Sequence, residues 1–182
     1  MDRPIKLTTE RLLLRPFTLD DVGDVLEYAN DPEWARYQVN IPHPFTRKEA
    51  EALVAMFSDP SNWESLQIFA IVLEDKVIGE ICLNQRDEDR QNERAELVYS
   101  LSRQHWGKGL MTEAARALIN WAFQTYSFNR MFATCDPRNI LSCRLLEKLG
   151  MKREGWLRSH LKWNGELRDQ LYYGILRDEW KA

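Results

Sequence analysis

The sequence predicts a mixed α/β fold of the α+β type with a mostly antiparallel central sheet, and three observations support this class. Runs rich in β-branched and aromatic residues alternate with segments whose apolar residues recur at helical spacing. Three strand-like runs follow one another between residues 66 and 101, which predicts antiparallel neighbours. No repeat or linker interrupts the 182 residues, a length that suits one sizeable core. We therefore expect a single domain over residues 1–182.

The first part of the chain is predicted to contain one short strand and two helices. The run "RLLLRPF" is the strand candidate. A helix is expected to begin after Thr18, an N-cap residue that acidic residues follow in the next turn. A second helix is expected after Thr46, because Thr46 and Glu49 have the spacing of a capping box. The intervening "DPEWARYQVNIPHPF" is expected to be irregular.

The central part of the chain is predicted to supply three consecutive strands. "LQIFAIVLEDKVIGEICLN" predicts a hairpin, and "QRDEDRQNER" is expected to be a polar loop. "RAELVYSLS" is the third strand. Alternation along it places Glu96, Val98 and Ser100 on one face, with Tyr99 and Leu101 on the other.

The last part is predicted to continue as helix, strand, helix and hairpin. The first of these helices, from Met111 to about Ser127, is apolar on nearly all sides and should be buried against the sheet. "RMFATC" is the next strand, and "NILSCRLLEKLG" is a helix with Leu141 and Leu145 on one side. Two final strands flank the turn dipeptide Asn164–Gly165. This order gives about seven strands.

Charge and composition limit the classes of function that this protein can have. The formal net charge of -3 gives no support for direct nucleic-acid binding. No apolar run approaches the roughly 20 residues that cross a bilayer, and the first residues lack the features of a signal peptide. We therefore expect a cytoplasmic protein that binds neither nucleic acid nor a membrane. The three cysteines and three histidines show no metal-ligand spacing, so no metal is expected.

The most informative motif is a pair of glycines at the start of the Met111 helix. Gly107 and Gly109 flank Lys108 in "RQHWGKGLMTEAAR". Glycine lets the backbone approach a ligand closely, and the first turn of a helix offers unpaired N–H groups to a phosphate. The patterns of a P-loop and of a dinucleotide-binding fold both fail here. A plain strand-to-helix turn is the alternative explanation.

Residues 104–109 read Q-x-x-G-x-G, and in this position they resemble the acetyl-CoA-binding motif of the GNAT N-acetyltransferases. The resemblance covers nearly the whole chain. The opening "TERLLLRPFTLDDVGDVLEYANDPEWARY" is similar to the branch that contains the ribosomal-protein N-terminal acetyltransferases. The closing "CDPRNILSCRLLEKLGMKREGW" is similar to the same branch, with Asn139 and Ser142 in an N-x-x-S element. Three such blocks in matching order are much more specific than the glycine motif alone.

The resemblance implies a GNAT fold, with helices on both faces of the sheet and a cofactor-binding strand that splays from its neighbour. Pantetheine is then expected to pair with the freed strand edge, and the pyrophosphate with the N–H groups of the glycine loop. The residues expected to bind acetyl-CoA are Leu101, Ser102, Gln104, His105, Trp106, Gly107, Lys108, Gly109, Leu110, Met111, Asn139 and Ser142.

The resemblance also implies candidate catalytic residues for acetyl transfer to an amine. Glu96 is the first candidate for the base, and an ion pair with Arg94 or Arg103 is the alternative explanation of this carboxylate. Ser142 matches the serine that protonates the CoA thiolate in this branch, although such a serine can also bond the local backbone. Asn139 would bind the cofactor or a backbone carbonyl beside Ser142, and it can also cap the helix.

Three further positions bear on the mechanism. His160, on a late strand, is an alternative base near neutral pH. The branch has been linked to a glutamate close to this position, where this chain has Leu161 and so departs from it. Cys135 could carry the acetyl group covalently, but a small buried hydrophobe is the alternative, and the family transfers acetyl directly.

The predicted function is therefore N-acetyl transfer from acetyl-CoA, as cosubstrate, to a primary amine of a protein N-terminus or a small molecule. A GNAT-fold module that binds CoA without turnover is the alternative, and it would show a broken loop or a cleft without ionisable groups. Docking on a ribosomal protein also stays open. The run "QLYYGIL" is predicted to be an edge strand through which a homodimer could form.

Overall fold

The computed structural model describes residues 5–38, 41–42, 44–163 and 165–181, in which one sheet lies between two groups of helices. The strands in chain order are β1 (Leu7–Thr8), β2 (Leu13–Arg15), β3 (Leu66–Leu73), β4 (Lys76–Asn84), β5 (Arg94–Leu101), β6 (Arg130–Cys135), β7 (Lys152–Trp163) and β8 (Glu166–Leu176). The helices are α1 (Val22–Ala29), α2 (Pro32–Ala35), α3 (Arg47–Ser58), α4 (Asp87–Gln91), α5 (Leu110–Thr125) and α6 (Ile140–Lys148).

The predicted fold class is confirmed by the order of the strands in the sheet. Within the described residues, eight strands follow one another as β1-β2-β3-β4-β5-β6-β8-β7. All described neighbours run antiparallel except β5 and β6, which run parallel. The sheet has one strand more than expected, because the two-residue strand β1 pairs with β2.

The parallel strands β5 and β6 separate after three residue pairs. Their pairing begins with Arg94 and Arg130 and ends with Glu96 and Phe132. Both strands continue beyond this point, β5 to Leu101 and β6 to Cys135. In the described sheet, the edge of β5 that faces β6 therefore has no strand partner beyond Glu96, as the predicted splay requires.

Two apolar clusters pack on opposite faces of the sheet. One lies under α5 and α6, where Leu118, Ile119 and Leu146 are fully buried. The other lies under α1 and α3, where Val25 and Val54 are fully buried. Helices thus cover both faces, as the sequence predicted. Of the helices in the described ranges, none has the length and apolar character that a membrane crossing needs.

Two segments that were expected to be irregular contain short helices. In α2, the Asp31 carboxylate accepts the N–H group of Glu33 at 2.8 Å, and Pro32 starts the helix. In α4, the Asp89 carboxylate accepts the N–H group of Arg86 at 3.1 Å. Both helices form because a side chain satisfies backbone donors that a single turn leaves open.

The prediction that "QLYYGIL" is an edge strand was wrong. This run belongs to β8, which pairs with β6 on one side and with β7 on the other. The final hairpin places its first strand outside its second, so β7 is the outer strand. Asn164 of the predicted turn lies outside the described residues, and Gly165 has the left-handed φ of 83° that such a turn needs.

Gly79 on β4 is expected to be required by the close passage of β5. A Cβ atom at Gly79 would lie 2.3 Å from the Ser100 carbonyl oxygen and 2.9 Å from Leu101 Cα. Because backbone atoms cannot move aside cheaply, Gly79→Ala should lower the free energy of unfolding by about 1–3 kcal/mol in urea denaturation.

Gly23→Ala is the matched control, because Gly23 lies on α1 with open space around it. This change should leave the free energy of unfolding unchanged or raise it by up to about 1 kcal/mol. Equal effects of the two substitutions would contradict the close approach at Gly79.

Candidate active site

A cleft of about 690 Å³ opens where β5 and β6 separate. Nine of the residues that the sequence predicted for the cofactor line it, namely Leu101, His105, Trp106, Gly107, Gly109, Leu110, Met111, Asn139 and Ser142. The lining residues that the sequence did not single out for the cofactor are Trp34, Tyr37, Gln38, Tyr99, Ser100, Thr112, Leu141, Arg144, Leu145, Glu147 and Lys148. The cleft thus joins the end of β5 and the starts of α5 and α6.

The glycine loop has a backbone that other residues adopt only with strain. Gly107 and Gly109 have φ angles of 72° and 78°, in the left-handed region. Gly109 is the N-cap of α5, and its carbonyl accepts the first helical bond, from the Glu113 N–H group at 3.1 Å. The N–H groups of residues 110–112 precede this bond and are free for an anion at the positive end of the helix dipole.

Side chains on both sides of the loop hold it in place. Glu113 accepts hydrogen bonds from Thr9 Oγ1 at 2.6 Å and from the Arg11 N–H group at 2.8 Å. Arg11 Nη1 donates to the Lys108 carbonyl at 3.1 Å. The residues between β1 and β2 therefore fix the first turn of α5, which prepares its amides for a ligand.

The start of α6 brings the two N-x-x-S residues into the cleft. Asn139 caps the helix, and its Oδ1 accepts the N–H group of Ser142 at 3.1 Å. Ser142 Oγ lies 2.7 Å from Tyr99 Oη on β5. Burial raises the pKa of Tyr99, so this phenol keeps its proton at neutral pH. Two hydroxyl groups that hold protons therefore lie side by side.

Three residues that were predicted to bind the cofactor are not among the described residues that line the cleft: Ser102, Gln104 and Lys108. Ser102 is buried, and its N–H group donates to the Ile78 carbonyl at 2.7 Å. The next carbonyl towards the cleft, that of Leu101, accepts Trp106 Nε1 at 2.6 Å. Two polar backbone groups at this end of β5 are therefore already hydrogen-bonded within the protein.

Glu96 lies at the last residue pair before β5 and β6 separate, outside the described lining of the cleft. Asn84 Nδ2 donates to it at 3.3 Å, and Thr134 Oγ1 donates at 3.4 Å. Burial raises the pKa of Glu96 against these hydrogen bonds. The carboxylate is therefore held between strands.

The ion pair that was the alternative explanation for Glu96 does not form. Arg94 Nε instead donates to Asp89 at 2.6 Å, and Arg103 lies 3.7 Å from Asp31. Within the described ranges, Glu96 takes part in no salt bridge.

Two other candidate residues, His160 and Cys135, are not among the described residues that line the cleft. His160 borders a depression formed by β7 and β8 that also contains Asp169. Cys135 is buried, with its Sγ 3.5 Å from that of Cys143. Burial and the neighbouring thiol raise the pKa of Cys135 well above its usual range, which disfavours a nucleophilic thiolate. In the described part of the chain, no cluster of His, Cys, Asp or Glu is arranged to hold a metal ion.

A polar network that begins at the cleft wall was missed by the sequence analysis. We call it the Glu80 network, and it consists of Tyr28, Trp34, Glu80 and Ser100. Tyr28 Oη donates to Glu80 at 2.8 Å, Ser100 Oγ also donates to Glu80, and Trp34 Nε1 donates to Ser100 Oγ at 3.1 Å. Burial raises the pKa of Glu80 to about 7, although both hydrogen bonds favour the charged form. The available signal was a single charge among the apolar residues in the middle of β4.

Known proteins resemble this chain in sequence. The family model described as "Acetyltransferase (GNAT) domain" matches residues 11–152. The uncharacterized N-acetyltransferase p20 of Bacillus licheniformis is 38% identical over 177 residues, which cover 96% of this chain and 97% of that protein. The [ribosomal protein uS5]-alanine N-acetyltransferase of Escherichia coli is 34% identical over 84 residues, which cover 46% of this chain and 43% of that protein.

The fold of this chain also resembles those of solved structures. The crystal structure of a GNAT-family acetyltransferase from Bacillus anthracis superimposes with a TM-score of 0.83 at 28% identity. The match covers 96% of this chain and 100% of that one. Sequence and structure therefore agree over nearly the whole described chain.

The substitution Glu80→Gln is expected to remove a pH dependence of stability. Because the Glu80 pKa is raised from 4.5 to about 7, the folded state holds this proton longer than the unfolded state does. The stabilisation is complete at low pH and is lost as pH rises through about 7, with a total of about 3 kcal/mol from ~1.4 kcal/mol for each pKa unit.

Urea denaturation at pH 5 and pH 8 measures this loss. The wild type should lose about 2 kcal/mol more than Glu80→Gln over this interval. Glu27→Gln is the matched control, since Glu27 is exposed on α1 and lies 3.5 Å from Lys76. A wild type that loses no more stability than Glu80→Gln would show that Glu80 does not titrate near neutral pH.

Proposed function

Because the chain belongs to the GNAT family of N-acetyltransferases, we propose that it moves an acetyl group from acetyl-CoA to a primary amine by direct attack in a ternary complex. One observation supports this proposal best. The unpaired edge of β5, the left-handed glycine loop and the Ser142 hydroxyl all border the same cleft.

The cleft suits the acetyl donor of this family. Acetyl-CoA supplies a thioester with a reactive carbonyl, and it carries amides and phosphates that the protein must bind. The free N–H groups of residues 110–112 can hold a phosphate, and the edge of β5 can pair with amides. Arg144 and Lys148 line the same cleft and add positive charge.

Ser142 is placed to protonate the departing thiolate. Its hydroxyl lies in the cleft and is hydrogen-bonded at 2.7 Å to Tyr99, a phenol that is protonated at neutral pH. Asn139 orients Ser142 by accepting its N–H group. We therefore assign proton donation to Ser142, replenishment to Tyr99 and positioning to Asn139.

Glu96 stays a candidate for the base that removes the amine proton. Its carboxylate is held by Asn84 and Thr134 near the point where the strands separate. Since Glu96 does not line the described cleft, it would act through water. Its raised pKa makes it a stronger base than an exposed glutamate.

The acceptor is a protein N-terminus or a small-molecule amine. The relative that is named for the alanine of ribosomal protein uS5 supports the first class. The largely apolar walls contributed by Trp34, Tyr37 and Leu141 are compatible with both classes. A cytoplasmic location and a possible homodimer stay predictions.

Release of the CoA thiol from acetyl-CoA tests the function directly. The panel contains short peptides with free N-termini, spermidine, aminoglycosides and amino-acid analogues. Turnover with one class of amine is the expected result. Tight binding of acetyl-CoA without turnover on any amine would instead favour the CoA-binding module.

Gly109→Ala is expected to weaken the binding of acetyl-CoA. A side chain at a φ of 78° costs roughly 1–2 kcal/mol, and the loop would relieve this strain by moving its amides away from the phosphate position. Isothermal titration should show a Kd for acetyl-CoA that is raised about tenfold or more.

Gly165→Ala is the matched control for Gly109→Ala. Gly165 has a similar φ of 83° but lies in the turn between β7 and β8. This variant should lose stability and keep the wild-type Kd for acetyl-CoA. A wild-type Kd in Gly109→Ala as well would contradict the role of the loop.

Ser142→Ala is expected to lower kcat by about 10²-fold or more, because the thiolate loses its proton donor. The Kd for acetyl-CoA should change little, and CoA thiol release measures the rate. Ser58→Ala is the control, since Ser58 is partly exposed at the end of α3 and its Oγ donates to the nearby Ala55 carbonyl at 3.2 Å. An unchanged kcat in Ser142→Ala would remove this assignment.

A further inference from the structure

The Glu80 network connects the cleft with a carboxyl group on β4. Trp34 and Ser100 line the cleft. Glu80 lies behind them on β4, directly across from Ser100 on β5, and Tyr28 of α1 bonds it from the other side at 2.8 Å. A molecule in the cleft can therefore reach Glu80 through one side chain, that of Ser100.

The hydrogen bonds of Ser100 leave one position for a ligand. A serine hydroxyl has one proton to donate and two lone pairs that accept. Ser100 Oγ donates its proton to Glu80 and accepts the indole N–H group of Trp34 at 3.1 Å. In the described residues the second lone pair is not used, so an N–H group in the cleft can donate to it.

The charges around Glu80 do not hold it as a permanent anion. The titratable groups that face Glu80 are Tyr28 on α1 and Cys82 on β4. Asp21 and Asp24 face Tyr28, and Glu96 on β5 faces Cys82. Asp21 is paired with Arg15 at 2.7 Å, and Asp24 accepts the Val77 N–H group at 2.8 Å. Among the described residues no cation bonds to Glu80, and burial raises its pKa to about 7.

Glu80 has a connection to the cleft that Glu96 lacks. The partners of Glu96 are Asn84 and Thr134, which are not among the described lining residues. Glu80, by contrast, is hydrogen-bonded to Ser100, which lines the cleft. A carboxyl group that accepts a proton through a hydroxyl needs this continuous contact, and of these two glutamates Glu80 has it.

We propose that the acceptor amine loses its proton to Glu80 through the hydroxyl group of Ser100, an inference that rests on the proposed acetyl transfer. Ser100 contacts the amine, and Glu80 is a positioning residue that acts through it. The nitrogen lone pair forms the N–C bond with the acetyl carbon, and the C–S bond breaks with its electron pair on sulfur.

The protons balance in this step. The nitrogen gives one proton to Ser100 Oγ while Ser100 gives its own proton to the Glu80 carboxylate. The sulfur takes a proton from Ser142, which Tyr99 borders at 2.7 Å. After product release, Glu80 returns its proton to solvent and Ser142 regains one, so the amide and the CoA thiol are the net products.

The test is the pH profile of kcat/KM for the fastest acceptor of the amine panel, measured by CoA thiol release. The wild type should show an acidic limb with a midpoint near 7. Glu80→Gln should lose this limb and about 10²-fold of kcat/KM at pH 8, with an unchanged Kd for acetyl-CoA. Ser100→Ala should lower kcat/KM similarly, since it breaks the contact but leaves Glu80 in place.

Tyr28→Phe supplies a graded test that a merely structural role would not pass. Removal of its hydrogen bond favours the neutral carboxyl, so the acidic limb should move to higher pH while turnover persists. Glu27→Gln is the control with an exposed carboxyl and should keep the wild-type profile. A second acceptor with a different amine pKa separates the titration of the amine from that of the enzyme.

Two outcomes would overturn the inference. One is an acidic limb that is unchanged in both Glu80→Gln and Tyr28→Phe. The other is a limb that is lost in Glu96→Gln and kept in Glu80→Gln, which would assign the proton to Glu96. Failure of the proposed function looks different, because the wild type would then turn over no amine at all.

Discussion

The separation of β5 from β6 is the constraint on which the rest of the site depends. Three residue pairs tie the strands together, and beyond Glu96 and Phe132 their facing edges are open. Since the two strands are parallel, the helices that follow them, α5 and α6, begin at the same end of the sheet. A free strand edge and the first turns of two helices therefore border the gap. This combination suits a ligand that carries amides, phosphates and a reactive carbonyl.

The alternation of β5 divides the chemistry between the two faces of the sheet. Tyr99 points to the α6 side, where it bonds Ser142, and the next residue, Ser100, points to the α1 side, where it bonds Glu80. In the proposed mechanism, sulfur therefore receives a proton from one face of the sheet and nitrogen loses one at the other. Two adjacent residues of one strand would keep these two proton paths apart.

Much of the fold and of the donor site could be predicted from the sequence, because these features are local. The glycines, the cap at Asn139 and the periodicity of α5 depend on residues close together in the chain. The predictions failed where distant segments decide. The outer position of β7 depends on how the last hairpin docks, and Leu141 of the predicted apolar face of α6 is 48% exposed at the cleft. The Glu80 network joins α1, α2, β4 and β5, and no spacing in one segment marks it.

The central claim is that the gap between β5 and β6 receives acetyl-CoA. Amide hydrogen exchange with and without acetyl-CoA tests it most directly, because both proposed contacts are made by backbone N–H groups. The account predicts slower exchange at residues 97–101 of β5 and at residues 107–112 of the glycine loop, with no change in the β7–β8 hairpin. Protection in the hairpin alone, or none in either predicted segment at saturating acetyl-CoA, would contradict it.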